Sequence, residues 1–386
     1  MSTASVTEAG TSAKKPQIFF PNLDGLRFFS FFLVFLAHSF VSDYDYITQA
    51  PWYQAFKVQC FSDGDIGVSF FFVLSGFLIS YLLMSEKNYT GRIDIPSFYI
   101  RRALRIWPLY YFCVFFGFVI FPMLKAKLGQ TPNETANPIL CSLFLNNVNT
   151  IINGPPDSSV LSVLWSVAIE EQFYLVWPVL FFFVPKKHYV FLFLGVMAAS
   201  LTFRAFNVHG EIETHTLGVI SDMAFGGLGA YLSMNSDRVK NYLQQSNPWI
   251  NLIPYVAAVV FIFYREHIFV TPFLIVTKRI IIAFFFIWII LEQNFSPRSL
   301  FKISQLKIIS TLGKYTYGLY CLHTIGILIT LTVLRKLGLN KTSWEMILLQ
   351  VPISMALSIV ISYISYTYFE SWFLKFKDRF AYITKG

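Results

Sequence analysis

Charge is scarce in this chain: 13% of its 386 residues are Asp, Glu, Lys or Arg, about half the share of an ordinary soluble domain. Set against 55% hydrophobic residues, that scarcity excludes a soluble single domain, which has too little interior to hide so much apolar surface. Cysteine is scarce too. Cys60, Cys113, Cys141 and Cys321 show no short paired spacing, so neither a metal framework nor a disulfide scaffold follows. Cys113 and Cys321 fall within apolar runs and read as small buried hydrophobes. No cleaved leader is expected. The first apolar run starts late, contains Arg27 and His38, and is not followed by a small-residue cleavage site. There is no Walker loop, no serine nucleophile elbow and no metal-ligand spacing. There is also no internal repeat, which weakens a transporter built from inverted halves.

Apolar runs are abundant, and aromatics make up 19% of the chain, with 43 Phe. A helix needs about 20 apolar residues to cross the hydrocarbon core. Spans are expected near 26–42, 65–84, 107–124, 164–184, 189–206, 216–234, 249–264, 279–292, 313–334 and 347–371. The fold class is therefore all-α: a polytopic membrane protein of about ten transmembrane helices. The apolar stretch 138–152 is too short to span and reads as an interfacial or re-entrant piece. The longest connection, 125–163, is predicted to be extracytoplasmic; loops this long are functional or disordered. Asn133-Glu134-Thr135 within it is a glycosylation sequon, meaningful only in a source that glycosylates.

The net charge of +9 does not point to nucleic acid. The basic residues sit between apolar runs, where a topology signal belongs. With both termini cytoplasmic, about 19 of the 30 Lys and Arg residues face inward by the flanking-loop rule. The domain reading is a polar tail over 1–18, disordered and cytoplasmic, a membrane domain over 19–376, and a basic cytoplasmic tail over 377–386.

Ionisable residues inside spans are costly and are functional candidates by default. The first group is Asn22-Leu23-Asp24-Gly25-Leu26-Arg27, with His38 eleven residues on. Eleven residues return to nearly the same helix face about 16 Å along the axis. The bland alternative is a snorkelling arginine and a histidine bonded to a neighbouring helix. The second group runs from Phe98 to Tyr110 and carries Arg101, Arg102 and Arg105. Their spacing lets Arg105 share a face with either of the others. They read as a cytoplasmic anchor or, being arginines, as forked phosphate binders. In the third group, Leu164 to Tyr174, Glu170 and Glu171 enter a span from the outer side. By depth alone His38 and Glu170 could meet, and a carboxylate would orient the imidazole. The fourth, Gly67 to Leu78, is rich in small residues. It suits close helix packing, although Ser75 could line a cavity. His323 reads more simply as a structural interhelical donor.

Taken together and in order, the segments LDGLR with its eleven-residue step to histidine, GVSFFFVLSGFLIS, FYIRRALRIWPLYY, LWSVAIEEQFYLVWP and LGKYTYGLYCLH resemble the acyltransferase-3 family of membrane acyltransferases. The likeness runs from about Phe20 to Phe376. It implies transfer of an acyl group, commonly acetyl, from cytoplasmic acyl-CoA to a hydroxyl. The acceptor is expected to be an envelope or extracellular glycan or a lipid-linked hydroxyl, and the site a bacterial cytoplasmic membrane. It further implies His38 as catalytic base with Arg27 as companion, Arg102 and Arg105 as the family's spaced arginine pair, and Glu170 as the acid of the Trp-Ser motif. Arg27, Arg101, Arg102 and Arg105 would hold the CoA phosphates. Asp24, Glu171, Tyr174, Ser75 and His323 are candidates for holding substrate. No tightly bound cofactor or metal is expected; acyl-CoA is a co-substrate. Phe28, Phe29 and Val167 depart from the family pattern, and no fused esterase-like domain is evident. A neutral imidazole with a pKa near 6.5 suits proton abstraction at neutral pH, and an acyl-histidine relay is a chemical alternative. The competing function is a lipid or small-solute transporter using buried Arg, His and Glu.

Overall fold

The computed structural model describes residues 18–60, 64–208 and 210–380. Of the tails expected over 1–18 and 377–386, residues 1–17 and 381–386 lie outside them, while Lys377 ends a helix and Asp378–Phe380 continues it as a 3-10 turn. Helices account for all regular structure among the described residues. Among the described residues nine segments are long and apolar enough to cross a membrane: Asp65–Thr90, Ile95–Lys127, Ser159–Phe183, Lys186–Phe206, Thr216–Asn235, Pro248–Arg265, Pro272–Phe295, Thr316–Leu337 and Ser343–Lys377. A tenth, Pro21–Ser39, has the length but carries Asp24, Arg27 and His38, which make it less apolar. The chain is an all-α, multi-pass integral membrane protein.

The principal helices are α1 (Pro21–Ser39), α2 (Asp65–Thr90), α3 (Ile95–Phe115), α4 (Leu164–Phe183), α5 (Tyr189–Phe206), α6 (Thr216–Asn235), α7 (Ile253–Ile268), α8 (Pro272–Phe295), α9 (Thr316–Leu337) and α10 (Val351–Ile364). Local chemistry sets their ends. Pro21 opens α1 at its first helical position, where the missing N–H is no loss. Asp94 caps α3 by accepting from Ser97 N, and Thr271 caps α8 by accepting from Leu274 N, each satisfying an orphan donor. Gly91 ends α2 at φ 76°, a left-handed conformation that glycine adopts without strain. The segments holding α3 and α10 run on through π-helical turns to 33 and 35 residues. At 1.5 Å per residue they outreach a core about 30 Å thick. The first turns of α3, with its arginines, therefore extend toward the membrane surface.

Consecutive helices alternate in direction. The beginning of α1, the end of α8 and the segment before α9 meet at one end, where Asn22 Nδ2 donates to Gln293 O and Asn22 Oδ1 accepts from Ser304 N. At the opposite end Arg335 of α9 pairs with Asp43, just beyond α1. Arg101, Lys87, Lys186 and Lys302 gather at the first end, called here the basic end. The α2–α6 contact is the tightest. A Cβ on Gly76 would stand 2.0 Å from Met223 O, and one on Gly226 would stand 2.1 Å from Val73 O. Two backbones touch there because each contact has a glycine on one side, Gly76 against Met223 and Gly226 against Val73. The packing reading of the small-residue stretch holds at Gly76, while Ser75 beside it faces a cavity.

At the opposite end an ion network ties α2, α6, α7 and α8 together. Arg279 Nε and Nη2 donate to Asp222 Oδ2 at 3.0 and 2.7 Å, and Nη1 donates to Glu213. Lys278 and Arg265 hold Asp65 at 3.1 and 2.7 Å. Burial alone would raise the Glu213 carboxyl, but Arg279, Lys278 and Arg204 outweigh it and hold it well below the usual carboxylate range. A depressed carboxyl stabilises the fold above its unfolded value and loses that contribution on acidification. Stability is thus expected to fall as pH drops below about 4.3. A Glu213→Gln variant should lose less between pH 5 and 3 in thermal unfolding; parallel curves would remove Glu213 as the cause.

The loop between α3 and α4 is ordered rather than disordered. Glu134 accepts from Ala136, Asp157 and Ser158 N, and Lys125 pairs with Asp157 at 2.8 Å. The stretch 138–152 forms two short helices, Pro138–Ser142 and Asn146–Asn153. Asn147 of the second meets Gln172 of α4 and Thr216 of α6. Cys113 and Cys321 are fully buried, in keeping with their reading as small hydrophobes. The side chain of Cys60 lies outside the described residues.

Candidate active site

One cavity runs along the protein rather than into its side. Val68, Phe71, Ser75, Leu78, Leu82 and Glu86 of α2 all line it. Their spacing of three and four residues puts them on one helix face. From Val68 to Glu86 is 18 residues, about 27 Å of helix, so the tunnel extends through most of a bilayer core. Arg27 of α1, Ser166 and Glu170 of α4, and Tyr317 and Tyr320 of α9 complete its walls.

Four arginines, Arg27, Arg101, Arg102 and Arg105, line its basic end. Two are engaged. Arg27 Nη1 holds Asp24 Oδ1 at 2.9 Å, and Arg101 Nη2 holds Glu86 Oε2 at 3.1 Å. The other two differ. Arg102 lies over the rings of Phe98 and Tyr174, with centroids 5.7 and 5.8 Å away, and its buried Nε has no hydrogen-bond partner. Neither Arg102 nor Arg105 has a carboxylate within ion-pair distance among the described residues. Two guanidinium groups without a carboxylate in ion-pair contact, in one cavity, have the chemistry to hold an anion.

Halfway along, Glu170 is held on both oxygens. Ser75 Oγ donates to Oε1 at 2.8 Å and Tyr174 OH donates to Oε2 at 3.0 Å. Glu171 points elsewhere. Its Oε2 accepts from Trp107 Nε1 at 2.9 Å, its buried Oε1 has no partner, and it does not line the tunnel.

The expected meeting of His38 with Glu170 is not made. His38 Nδ1 lies 2.8 Å from His323 Nε2, and the rings stack at 20° with centroids 5.1 Å apart. The depth argument failed on one boundary. Pro21 starts α1 five residues before the expected 26, and the helix stops at Ser39. His38 is therefore in the last turn of α1 and turns to His323 of α9, while Glu170 sits about 9 Å inside the end of α4 and turns to Ser75 and Tyr174. Arg27 and His38 do share α1, so the separation of about 16 Å stands.

The tunnel closes before it reaches the two histidines. Its far end is made by Val68, Phe71, Ser166 and Tyr320. The Phe71 and Tyr320 rings meet edge to face at 5.6 Å, and Ser166 Oγ and Tyr320 OH are 2.5 Å apart. His323 follows Tyr320 by three residues on α9, one turn further on. Sequence reasoning did not single out Tyr320, Phe71 or Ser166. All three fall in the motifs quoted above, but aromatic and hydroxyl residues in a span carry no polar signal strong enough to mark them. Lys57, also missed, donates through Nζ to Ala37 O beside His38.

The profile of the acyltransferase domain (acyltransferase-3) matches residues 20–367. YrhL of Bacillus subtilis strain 168, provisionally named a peptidoglycan O-acetyltransferase, is 22% identical over 373 residues, covering 91% of this chain and 54% of its own. A provisionally named O-acetyltransferase of Staphylococcus aureus strain COL is 27% identical over 340 residues, 82% of this chain and 52% of its own. The O-acetyltransferase OatA of Staphylococcus aureus strain NCTC 8325 / PS 47 is 31% identical over 176 residues, 44% of this chain and 26% of its own. The chain thus spans about half the length of the first two. No solved structure matches it. A profile match across nearly the whole bundle, tunnel walls included, places the chain in the acyltransferase-3 family.

Proposed function

We propose that the protein is a membrane O-acyltransferase that takes an acyl group, acetyl in the simplest case, from acyl-CoA at its basic end and delivers it to a glycan hydroxyl at the opposite face. The tunnel carries this reading. It has free guanidinium groups at one end, apolar walls along its length, and a histidine pair one turn past the other end. The excess of basic residues at the arginine end assigns that end to the cytoplasm, where acyl-CoA is made. The setting is a bacterial cytoplasmic membrane. The names of the relatives make peptidoglycan or another envelope glycan the first acceptor class to test.

In the proposed reaction Arg102 and Arg105, with Arg27 and Arg101 beside them, hold the CoA phosphates at the rim. The pantetheine arm lies in the tunnel, with Glu170 fixed by Ser75 and Tyr174 along its wall. Rotation of Tyr320 and Phe71 opens the far end to the thioester. The acceptor oxygen attacks the thioester carbonyl carbon and its proton passes to His38. The carbon–sulfur bond breaks, and the leaving thiolate takes up the proton that His38 received, returning the imidazole to its neutral form. General-base assistance of this kind contributes about 10²–10⁴-fold.

The test uses purified wild type and His38→Ala in nanodiscs with acetyl-CoA and glycan acceptors, following free thiol and acylated product. His38→Ala is expected to release thiol about 10²–10⁴-fold more slowly. Equal acylation by both proteins would keep the enzyme and remove His38 from its centre. Failure of the wild type to bind or consume any acyl-CoA would remove the donor reading.

A further inference from the structure

His323 was expected to be a structural donor between helices or, from the family resemblance, a residue that holds substrate. Its hydrogen bonds say more. It is fully buried in α9. Its Nδ1 lies 2.7 Å from Tyr320 O and 3.2 Å from Leu319 O, and its Nε2 lies 2.8 Å from His38 Nδ1. A carbonyl oxygen only accepts, so His323 Nδ1 must carry a proton. In a neutral imidazole the other nitrogen then holds a lone pair. His323 Nε2 is therefore an acceptor, and His38 Nδ1 must be the donor to it. That leaves His38 Nε2 as a lone pair on a half-buried side chain.

We infer that His323 is a positioning residue, fixing His38 in its Nδ1–H tautomer so that Nε2 is the atom that takes the acceptor's proton. This rests on the proposed role of His38 and deepens it. The logic is that of the buried aspartate behind a catalytic histidine, which sets tautomer and orientation without touching substrate. Here the backbone of α9 provides the anchor and a second imidazole transmits it. The pair carries no net charge, which suits a site in the last turn of a membrane helix. The same backbone links the device to the tunnel, because Tyr320, whose carbonyl anchors His323, contributes its ring to the tunnel's closed end. The rings of Phe31 and Phe35 stand 5.6 and 6.5 Å from His323 and wall it off from other polar partners.

Two readouts separate this inference from the function beneath it. The first does not depend on turnover. In protein with 15N-labelled histidine, wild-type His38, assigned by its loss in His38→Ala, is expected to show a protonated Nδ1 and an unprotonated Nε2. In His323→Leu that preference is expected to disappear, while His323→Gln, whose side-chain carbonyl accepts from His38, is expected to retain it. A protonated Nε2 in the wild type, or an unchanged His38 spectrum in His323→Leu, would overturn the inference. The second readout is kinetic. His323→Leu is expected to lower kcat about 10²–10⁴-fold with KM for acetyl-CoA changed less than about threefold, because His323 touches none of the arginine-lined cavity. His323→Gln is expected to recover at least about tenfold of the loss. Equal kcat in the Leu and Gln variants, both folded by gel filtration and thermal unfolding, would also count against it. If the tautomer shifts as expected but His38→Ala still transfers acyl groups, the catalytic reading fails and the positioning device stands.

Discussion

Replacing Arg102 and Arg105 together by alanine is expected to raise the KM for acetyl-CoA by about 10²–10⁴-fold. Hydrogen bonds to charged groups contribute about 1.5–3 kcal/mol each, and about 1.4 kcal/mol is a factor of ten. These two arginines lack carboxylate partners, so their hydrogen-bonding capacity is available to a ligand. Arg101 and Arg27, already paired with Glu86 and Asp24, should each have smaller effects. Lysine at position 102 should rescue poorly. It cannot present a planar fork, and it loses the stacking between Phe98 and Tyr174. The kcat of the double variant should stay within about tenfold of wild type, because the guanidinium groups sit far from the reacting carbonyl. Titration calorimetry with desulfo-CoA reports the binding loss directly. Unchanged affinity in the double variant would move the nucleotide site elsewhere.

The second large effect concerns stability. Arg279→Met should lower folding stability by about 3–5 kcal/mol, the range for removing one partner of a buried ion pair. Asp222 is fully buried, and Arg279 grips its Oδ2 with two nitrogens. Without Arg279 that carboxylate keeps only Ser69, which donates at 2.7 Å. The double variant Asp222→Asn/Arg279→Met should recover part of the loss, since the orphan charge is gone. Unfolding in detergent, followed by intrinsic fluorescence, measures both. A single variant as stable as wild type would show that the network is solvated and contributes little.

Much of the fold was legible because lipid imposes a simple rule. Of the ten expected spans, nine coincide with helices long and apolar enough to cross a membrane among the described residues, and most boundaries fell within a few residues. The third helix starts at Ile95 rather than 107 and the eighth at Pro272 rather than 279, each opening with polar or basic turns that lower its hydropathy, and two further exceptions are instructive. The first helix was misplaced by five residues because Asn22, Asp24 and Arg27 depress its hydropathy, while Pro21 was the overlooked start signal. That error made His38 and Glu170 equal in depth on paper, whereas the His38 ring turns to α9. The last span was expected over 347–371 and runs from Ser343 to Lys377, since a helix can project past the lipid without apolar residues to announce it. The arginine cluster was legible in kind, because several guanidinium groups beside a span are rare. Which of them lacked partners was not, since Glu86 approaches Arg101 from a different helix. The His38–His323 contact joins residues 285 apart in sequence. Its two histidines sit in separate motifs, and nothing in either spacing says that α1 and α9 lie side by side.

The closed far end of the tunnel also has an electrical meaning. A water-filled passage about 27 Å long would short-circuit an energised membrane, in which moving one elementary charge through 100 mV is worth about 2.3 kcal/mol. Phe71 and Tyr320, locked edge to face and pinned through Ser166, act as an insulating plug between two aqueous compartments. In the proposed reaction they swing aside for a donor, and the uncharged arm that displaces them would fill the same bore. On that proposal insulation is handed from the protein to its substrate, and an acyl group would cross the bilayer without a current crossing with it.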